Sequence, residues 1–503
     1  MDYNKTLGYM PFLWNDMYPD RVAIMHKEKE YTYRDLHDIS LSFAAYFATS
    51  GVKRGDHVLI MGKNSADWIF TFFGLQMLGA VAVPVNPSFT TSEIAQIMDI
   101  VGADTVVTNG QQDYAQHIRD LYKVNKNFHV LYGSEGHRFS HLLSLELADD
   151  PTEVACILLT SGTTGVPKGV QLTHRNLISN ADTMVKVVGW DETDRFLLCV
   201  PMFHCFGLTA TALTAFMCGG TAVILDNVKS FNQLAAIGRY KITVFNGVPT
   251  LFIVDMRHNN LKDYDLSSLK SGIIAGAPLT PREYEIIKSA FGFEHLIQSY
   301  GQTETSPAVT LVRPGESEAI ASTSVGTPID GVEVAIVDNN RKELPPNYPG
   351  NIFVRGINVM TGYINGKHRY TEKDWLCTGD VGYKDEAGRL YISGRTKDII
   401  IRGGENISAI EIENVVKELD FIDQARVLST KDEFMGEEAC LHVSFLEDMD
   451  EEKAKDMIRN YIHHKLVKYK VPKYIIVHDA LPTNGTGKID DKALIAFMKD
   501  RLK

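Results

Sequence analysis

The stretch LLTSGTTGVPKG, residues 158–169, places an apolar strand directly before a loop of hydroxyls, glycines and one lysine. Glycines permit positive φ and close approach of the backbone. Backbone N–H groups, hydroxyls and an ammonium together bind phosphate oxygens. The composition of this loop therefore predicts a phosphate-binding loop rather than an ordinary turn. Its predicted contacts are Thr160, Ser161, Gly162, Thr163, Thr164, Gly165 and Lys168.

This loop differs from a Walker A loop, in which a Ser or Thr follows the lysine and holds magnesium. Here Gly169 and Val170 follow Lys168. The difference disfavours a P-loop kinase or ATPase. A residue elsewhere in the chain must then bind the metal.

Four further motifs follow the loop: YGQTET at 300–305, TGD at 378–380, GRTKDIIIRGGEN at 394–406 and NGTGKID at 484–490. In this order and at this spacing the motifs resemble those of the adenylate-forming superfamily. That superfamily contains acyl-CoA synthetases, adenylation domains of peptide synthetases and luciferases. The resemblance extends over nearly the whole chain, from RGDHV at 54–58 to the last motif.

The composition indicates a multidomain enzyme without a nucleic-acid partner. A chain of 503 residues exceeds what one hydrophobic core usually organises. Its formal net charge of −12 lacks the basic excess of a nucleic-acid binder. The six cysteines form no C-x-x-C pair, and the N-terminus lacks a signal-peptide pattern. We therefore predict reduced thiols and a cytoplasmic location.

Two strongly apolar stretches, residues 68–85 and 208–225, are each interrupted by glycine. The remaining pieces are shorter than the roughly 20 residues that span a bilayer, so we predict a buried helix followed by a buried strand in each. Thr32 with Asp35 predicts a capping box at the start of another helix. This alternation indicates an α/β fold with largely parallel sheets. Further strands are predicted at residues 57–61, 105–107, 222–225, 243–245 and 272–274.

The resemblance also implies the domain organisation. It predicts a large N-terminal domain of layered α/β subdomains at residues 1–396. A small, mobile α+β C-terminal domain follows at residues 397–503, with the hinge at Lys397. Rotation about this hinge would exchange Lys488 for the loop around Gly403 and Gly404, where the pantetheine chain of CoA passes.

The resemblance implies that a carboxylic acid is activated on Mg²⁺-ATP. Glu304 would then bind Mg²⁺ and Thr303 would contact the α-phosphate, since a hard cation takes a carboxylate together with phosphate oxygens. Lys488 would stabilise charge between the carboxylate and the α-phosphate. The remaining nucleotide contacts would be Asp380 and Arg395 to ribose, and Gly276, Ala277, Pro278 and Tyr300 to adenine.

PMFHCFG at 201–207 resembles the P-x-F-H-x-x-G of acyl-CoA and aryl-CoA ligases, in which the ring of His204 gates the substrate tunnel. Taken alone, His204 also fits a core histidine. Residues 203–209 contain no acid to pair the amino group of an amino acid. The mostly apolar acyl pocket implied by the resemblance contains Phe203, Phe206, Leu208, Thr209, Val248, Thr250, Leu251 and Gly276.

These observations predict an acyl-CoA synthetase that forms acyl-AMP and transfers the acyl group to coenzyme A. A fatty acid is the favoured substrate, and an aryl acid is the alternative. Loading of a separate carrier protein remains open, as does a luciferase-type oxygenase. The predicted small molecules are ATP, Mg²⁺, CoA and the acid, and a homodimer is left open.

Overall fold

The computed structural model describes residues 4–109, 119–121, 128–138, 147–160, 167–225, 227–258, 261–364, 366, 374–402, 405–432, 434–484 and 488–502. Within these residues the strands are, in chain order, β1 Val22–His26, β2 Lys29–Thr32, β3 His57–Met61, β4 Val81–Val85, β5 Thr105–Thr108, β6 His129–Tyr132, β7 Val154–Thr160, β8 Lys168–Thr173, β9 Arg195–Leu198, β10 Thr221–Ile224, β11 Ser271–Ala275, β12 His295–Gly301, β13 Ala308–Leu311, β14 Thr327–Pro328, β15 Val332–Val337, β16 Gly350–Gly356, β17 Gly362–Tyr363, β18 Leu376–Lys384, β19 Leu390–Arg395, β20 Ile399–Arg402, β21 Glu405–Ser408, β22 Ile422–Asp432, β23 Gly436–Phe445 and β24 Tyr474–His478. The α-helices are Met10–Met17, Tyr33–Thr49, Ala66–Leu78, Thr91–Val101, His174–Val188, Cys205–Gly207, Thr214–Met217, Ser230–Tyr240, Pro249–Met256, Pro281–Phe291, Glu318–Ala321, Ala409–Val416, Glu451–Lys465 and Asp491–Arg501.

The largest sheet has seven strands in the order β17-β8-β7-β4-β3-β5-β6. The pairs β3–β4, β3–β5, β4–β7 and β5–β6 are parallel, whereas β7 and β8 form an antiparallel hairpin. In that hairpin Thr160 pairs with Lys168 at the last register position before the connecting loop. The ends of the predicted phosphate loop are thus anchored on a sheet.

Two four-stranded sheets, β2-β1-β10-β9 and β11-β12-β13-β14, lie on either side of Val244. Val244 makes isolated parallel bridges to Phe196 and Ser271 and so links the two sheets. The prediction of a strand at residues 243–245 is therefore wrong in extent. The side chain of the next residue, Asn246, accepts the backbone N–H of Ile273 at 2.8 Å and interrupts the ladder.

A smaller antiparallel sheet, β15-β16-β18-β19, contains both residues that are predicted to bind ribose. Asp380 on β18 stands directly opposite Arg395 on β19 in the strand register. Directly opposed residues on adjacent strands bring their side chains within contact distance. Strand pairing therefore brings together two residues that are 15 positions apart in the chain.

Both apolar stretches form the predicted helix and strand. The first becomes the buried helix Ala66–Leu78, a left-handed Gly79 with φ of 72°, and the fully buried strand β4. In the second, a π-helical segment at Leu208–Leu213 lies between two short α-helical turns. The capping box at Thr32 is also confirmed. In the part of the chain that the structure describes, no helix combines the length and apolar character needed to cross a membrane.

The C-terminal part forms a separate sheet, β21-β20-β23-β22, with β24 parallel to β23. Its own apolar core includes Ile412, Leu441 and Ile458. The predicted mixed α/β class, with a large N-terminal and a smaller C-terminal unit, is thereby confirmed. The prediction of largely parallel sheets is wrong for β15-β16-β18-β19 and β21-β20-β23-β22, whose strand pairs are all antiparallel. The boundary between residues 396 and 397 stays a prediction.

His174, at the start of helix His174–Val188, makes the stability of the protein sensitive to acid. Its Nδ1 accepts the backbone N–H of Leu7 at 3.2 Å, and burial lowers its pKa to about 4. An unfolded chain would protonate this histidine near pH 6.5. The contribution of this histidine to the free energy of unfolding is therefore fully present above pH 6.5 and is lost as the pH falls towards 4.

We expect His174→Asn, which retains an acceptor, to remove up to about 3 kcal/mol of this pH dependence, since one pKa unit corresponds to about 1.4 kcal/mol. Urea unfolding at pH 4.5 and pH 7 would measure it. The difference between wild type and variant cancels the contribution of carboxylates that titrate in the same range. An identical pH dependence in both proteins would contradict the prediction.

Candidate active site

Lys168, the last predicted contact of the phosphate loop, is connected to Glu304 through Tyr363. Lys168 places its Nζ 5.4 Å from the centroid of the Tyr363 ring. The hydroxyl of Tyr363 donates to Oε1 of Glu304 at 2.6 Å. Tyr363 lies on β17, which pairs with β8 next to Lys168. Sequence reasoning missed Tyr363, although it follows a glycine in a short MTGY segment.

Glu304 fits a magnesium ligand that works together with substrate phosphates. It belongs to the 3-10 turn Thr303–Thr305 that follows β12, and it is 6% exposed. An ionised carboxylate has about four acceptor positions, so the single bond from Tyr363 leaves capacity for a cation. Among the described residues, no cluster of three or more His, Cys, Asp or Glu could hold a metal by itself. A buried carboxylate with free acceptor positions suits Mg²⁺, which uses one or two carboxylates and takes its other ligands from phosphate and water.

Tyr300, Asp380 and Arg395 form a hydrogen-bonded group across two sheets. The Tyr300 hydroxyl donates to Oδ2 of Asp380 at 2.6 Å, and Nε of Arg395 lies 3.1 Å from Oδ1. Burial raises the pKa of Asp380, and the Arg395 guanidinium opposes that rise. The three residues predicted to bind the nucleoside are thus in contact. The bond from Tyr300 to Asp380 was not predicted.

Gly276 lies where the two domains meet. It has φ of +87°, and a Cβ built there would lie 3.4 Å from Cγ1 of Val248 and 3.5 Å from Nζ of Lys488. Gly276, Ala277 and Pro278 are all exposed. The positive φ would strain any other residue at position 276, whereas a Cβ there would make only ordinary van der Waals contact with the lysine. The backbone conformation therefore favours glycine beside the ammonium.

Lys488 reaches this position from the C-terminal domain. Its side chain is exposed to solvent, as is Gly276. We call the solvent-accessible space beside these two residues the cleft. Desolvation in the cleft lowers the pKa of its ammonium, and the nearby positive charge of Arg395 lowers it further. The structure thus brings together Lys488, Gly276 and Arg395, which lie far apart in the sequence.

His204 faces the same region. Burial, and secondarily the charge of Lys488, lower its pKa to about 4, so the ring is neutral near pH 7. Its buried Nε2 has no hydrogen-bond partner among the described residues. Asn64, which sequence reasoning missed, braces the preceding segment: it accepts from the N–H of Met202 at 2.9 Å and donates to Val200 O at 2.9 Å. The structure thus places a buried, unpaired ring nitrogen near Lys488, on a segment whose backbone Asn64 holds.

The residues predicted for the acyl pocket come from three local segments. Leu208 and Thr209 are fully buried in the π-helical segment. Val248 and Leu251 lie at the beginning of helix Pro249–Met256, and Val248 is the pocket residue nearest to Gly276. Phe203, Phe206 and Thr250 are half-buried. Their joint role as a pocket stays a prediction.

Several predicted residues lie outside the described residues: Ser161, Gly162, Thr163, Thr164, Gly165, Gly403 and Gly404, together with the side chain of Lys397. Thr303 lies in the 3-10 turn next to Glu304.

Three ion pairs that sequence reasoning missed join the two domains. Arg282 Nη2 lies 2.6 Å from Asp420 Oδ1, and Lys417 Nζ lies 3.1 Å from Glu283 Oε1. Arg257 pairs with Asp423. We call these the interdomain pairs. Their N-terminal members lie at the end of one helix and the start of another, and their C-terminal members lie in residues 417–423.

Comparison with known proteins gives a consistent result. Residues 13–364 match the family described as AMP-binding enzyme, and residues 411–488 match the AMP-binding enzyme C-terminal domain. The chain is 29% identical to the mitochondrial medium-chain acyl-CoA ligase of Mus musculus, over 99% of this chain and 88% of the relative. It is 29% identical to the long-chain-fatty-acid–CoA ligase of Bacillus subtilis, over 98% and 94%. It is 30% identical to the 4-coumarate–CoA ligase of Vanilla planifolia, over 93% and 88%.

A solved structure with the same fold is the O-succinylbenzoate coenzyme A synthetase of Bacillus subtilis in complex with ATP and magnesium ion. It superimposes with a TM-score of 0.84 at 27% identity, over 95% of this chain and 98% of that chain.

Proposed function

The chain belongs to the AMP-binding enzyme family as an AMP-forming acid–CoA ligase, and on that premise we propose that it activates an apolar monocarboxylic acid, with a fatty acid favoured. A carboxylate oxygen of the acid attacks the α-phosphorus of ATP, and pyrophosphate leaves. The thiol of CoA then attacks the carbonyl carbon of the acyl-AMP and loses its proton, and AMP leaves. Both steps balance without a redox partner.

One observation carries the first step of this proposal. Nζ of Lys488 lies 3.5 Å from the position that a Cβ on Gly276 would take, and its charge acts on His204. An ammonium at this point can stabilise negative charge as the carboxylate approaches the α-phosphate. Neutral His204 can donate from its unpaired Nε2 or accept there, according to its tautomer.

The nucleotide would be held by groups on both sides of the cleft. Asp380 would accept from the ribose hydroxyls while Arg395 and Tyr300 orient its carboxylate. Lys168 would bind the terminal phosphates, and Glu304 would hold Mg²⁺ against them. When bound, Mg²⁺ supplies positive charge to the phosphate oxygens.

The second step needs a different arrangement of the C-terminal domain. We propose that rotation about Lys397 withdraws Lys488 and brings Gly403 and Gly404 to the cleft, where small residues admit the pantetheine chain. Coenzyme A is the acceptor that the family supports, and a separate carrier protein is the alternative.

The acid class follows from the chemistry of the proposed pocket. Leu208, Val248, Leu251 and the phenylalanines at 203 and 206 offer apolar surface. A second carboxylate on the substrate would need a cation in this wall, because an unpaired buried charge is costly. Among the relatives named above, one is named for long-chain fatty acids, one for medium-chain acyl-CoA and one for 4-coumarate. We therefore keep an aryl acid as the second candidate.

A panel of acids tested for pyrophosphate release, with and without CoA, checks this function. With medium-chain and long-chain fatty acids the enzyme should release pyrophosphate and AMP from ATP, and CoA should accelerate turnover. Coumarate should be a poorer substrate. ADP and orthophosphate as products would overturn the proposed reaction. Turnover with coumarate and with none of the fatty acids would overturn the proposed acid class.

The interdomain pairs should favour the arrangement in which Lys488 occupies the cleft. Arg282→Glu should slow acyl-AMP formation by about twofold to fivefold, because an exposed ion pair contributes under about 1 kcal/mol. Adding Asp420→Arg should restore the rate by re-forming the pair with reversed charges. Single-turnover formation of acyl-AMP would measure both.

Arg239→Glu is the matched control, because Arg239 pairs with Glu28 entirely within the N-terminal domain and is similarly exposed. It should leave the rate unchanged. A double variant no faster than Arg282→Glu would show that this pair does not form in the working enzyme.

A further inference from the structure

Arg426 on β22 bonds to three carboxylates at once. Its Nε and Nη2 donate to the two oxygens of Asp491, both at 2.7 Å. Its Nη1 donates to Oε1 of Glu413 at 3.0 Å, and Nη2 also donates to Oδ2 of Asp398 at 3.3 Å. The Arg426 side chain is only 14% exposed. These bonds are partly buried within the C-terminal domain, since the side chain of Asp491 is 34% exposed.

The pair with Asp491 leads to the cleft lysine. Asp491 is the first residue of helix Asp491–Arg501, and it follows Lys488 by three positions. Three residues can span at most about 11 Å of extended chain. Fixing Asp491 therefore limits the distance that Lys488 can move. Asp490 restricts the connecting segment further, because its side chain accepts from the N–H of Lys492 at 3.0 Å.

The other two carboxylates connect Arg426 to the hinge region and to the domain core. Asp398 ends the 3-10 turn Thr396–Asp398, which contains the proposed hinge residue Lys397. Glu413 lies on a buried face of helix Ala409–Val416 and also accepts from the N–H of Val427 at 2.8 Å. Arg426 thus lies between the hinge turn and the helix that follows the lysine loop.

An arginine suits this place for a geometric reason. The planar guanidinium presents parallel N–H groups that match both oxygens of a carboxylate, whereas a lysine ammonium is a point charge. The two equal distances to Asp491 show this side-by-side arrangement. Such a pair sets the orientation of its partner as well as its distance.

We propose that Arg426 is a positioning residue for acyl-AMP formation, because its two-bond pair with Asp491 holds the start of the last helix where Lys488 reaches the cleft beside Gly276. This inference rests on the proposed role of Lys488. Arg426 itself lies away from the substrate site and acts through Asp491. Its loss should therefore slow the step that uses Lys488 and spare the step that does not.

Two variants test this without leaving Glu413 buried opposite an uncharged residue. Asp491→Asn weakens the pair but leaves Arg426 with its other partners. Arg426→Lys keeps the positive charge but loses the parallel N–H groups that bind both oxygens of Asp491. Each should lower the single-turnover rate of acyl-AMP formation by about tenfold to a hundredfold, since small displacements of a catalytic group have effects of this size.

Both variants should convert supplied acyl-AMP and CoA to thioester within about twofold of the wild-type rate, and KM for ATP should change little. Asp491→Glu, which keeps a carboxylate, should recover most of the lost rate. Asp456→Asn is the control: Asp456 pairs with Arg459 at 3.4 Å on the exposed helix of the same domain. It should leave both rates unchanged.

The outcomes separate the possible roles. Equal slowing of both half-reactions, or no rescue by Asp491→Glu, would make Arg426 a stabilising residue only and overturn the inference. The inference would also be overturned if Asp491→Asn formed acyl-AMP at the normal rate while Lys488→Ala formed it slowly. The proposed function would stand in that case. Normal acyl-AMP formation in Lys488→Ala would instead refute the proposed role of the lysine.

Discussion

Lys488→Ala is expected to lower the rate of acyl-AMP formation by about a hundredfold or more. This corresponds to at least about 2.7 kcal/mol of lost transition-state stabilisation, the effect of removing one preorganised stabiliser of developing charge. The structural reason is the position of its Nζ beside Gly276. Quenched-flow measurement of acyl-AMP from ATP and the acid would give the rate directly.

The second half-reaction provides the internal control for this variant. Supplied acyl-AMP and CoA should give thioester at a near-normal rate, because Lys488 is expected to leave the cleft before the thiol attacks. Lys492→Ala, four positions on and exposed, should affect neither step. Replacing Gly404 with leucine should have the mirror effect, blocking thioester formation and sparing acyl-AMP formation. Equal loss of both steps in both variants would mean that one fixed geometry performs the whole reaction.

Glu304→Gln should have the second-largest effect. The amide oxygen can still accept from Tyr363, so the local packing is retained while the negative charge is removed. We expect acyl-AMP formation to fall by about tenfold to a hundredfold, because the carboxylate is the only protein ligand proposed for Mg²⁺. Raising the magnesium concentration should recover part of the rate in the variant.

Tyr363→Phe is the companion variant. It removes the hydroxyl that donates to Glu304 and leaves the ring beside Lys168. Its magnesium requirement should shift less than that of Glu304→Gln. The assignment of Glu304 would be wrong if the glutamine variant kept both its rate and its magnesium dependence.

Local sequence determined much of the N-terminal fold. The helix Ala66–Leu78 and strand β4 follow from an apolar run interrupted by Gly79, whose left-handed conformation ends the helix. The capping box at Thr32 follows from hydrogen bonds between residues three positions apart. These features depend only on near neighbours in the chain. The strand predicted at residues 243–245 was wrong because a distant partner, Ile273, takes the side chain of Asn246.

The types of chemical group at the candidate site were also set by sequence. The hydroxyl and glycine loop, the acidic turn at Glu304 and the terminal lysine loop could be identified in order along the chain. Tyr363, Asn64 and the interdomain pairs could not, because their partners lie tens to hundreds of residues away. A hydrogen bond between such residues depends on how sheets and helices pack, which has no local pattern.

The sequence alone thus determined the mixed α/β fold class and the family of the reaction, because short apolar runs indicate the first and motifs in a fixed order along the chain indicate the second. The phosphate-binding loop stays a prediction. Only the tertiary structure decided that Lys488 meets Gly276, that Tyr300 and Arg395 share Asp380, and that Arg426 joins the hinge turn to the last helix. These contacts arise where separate sheets and two domains meet. Their distances follow from packing, for which no stretch of sequence carries a periodic or spacing signal.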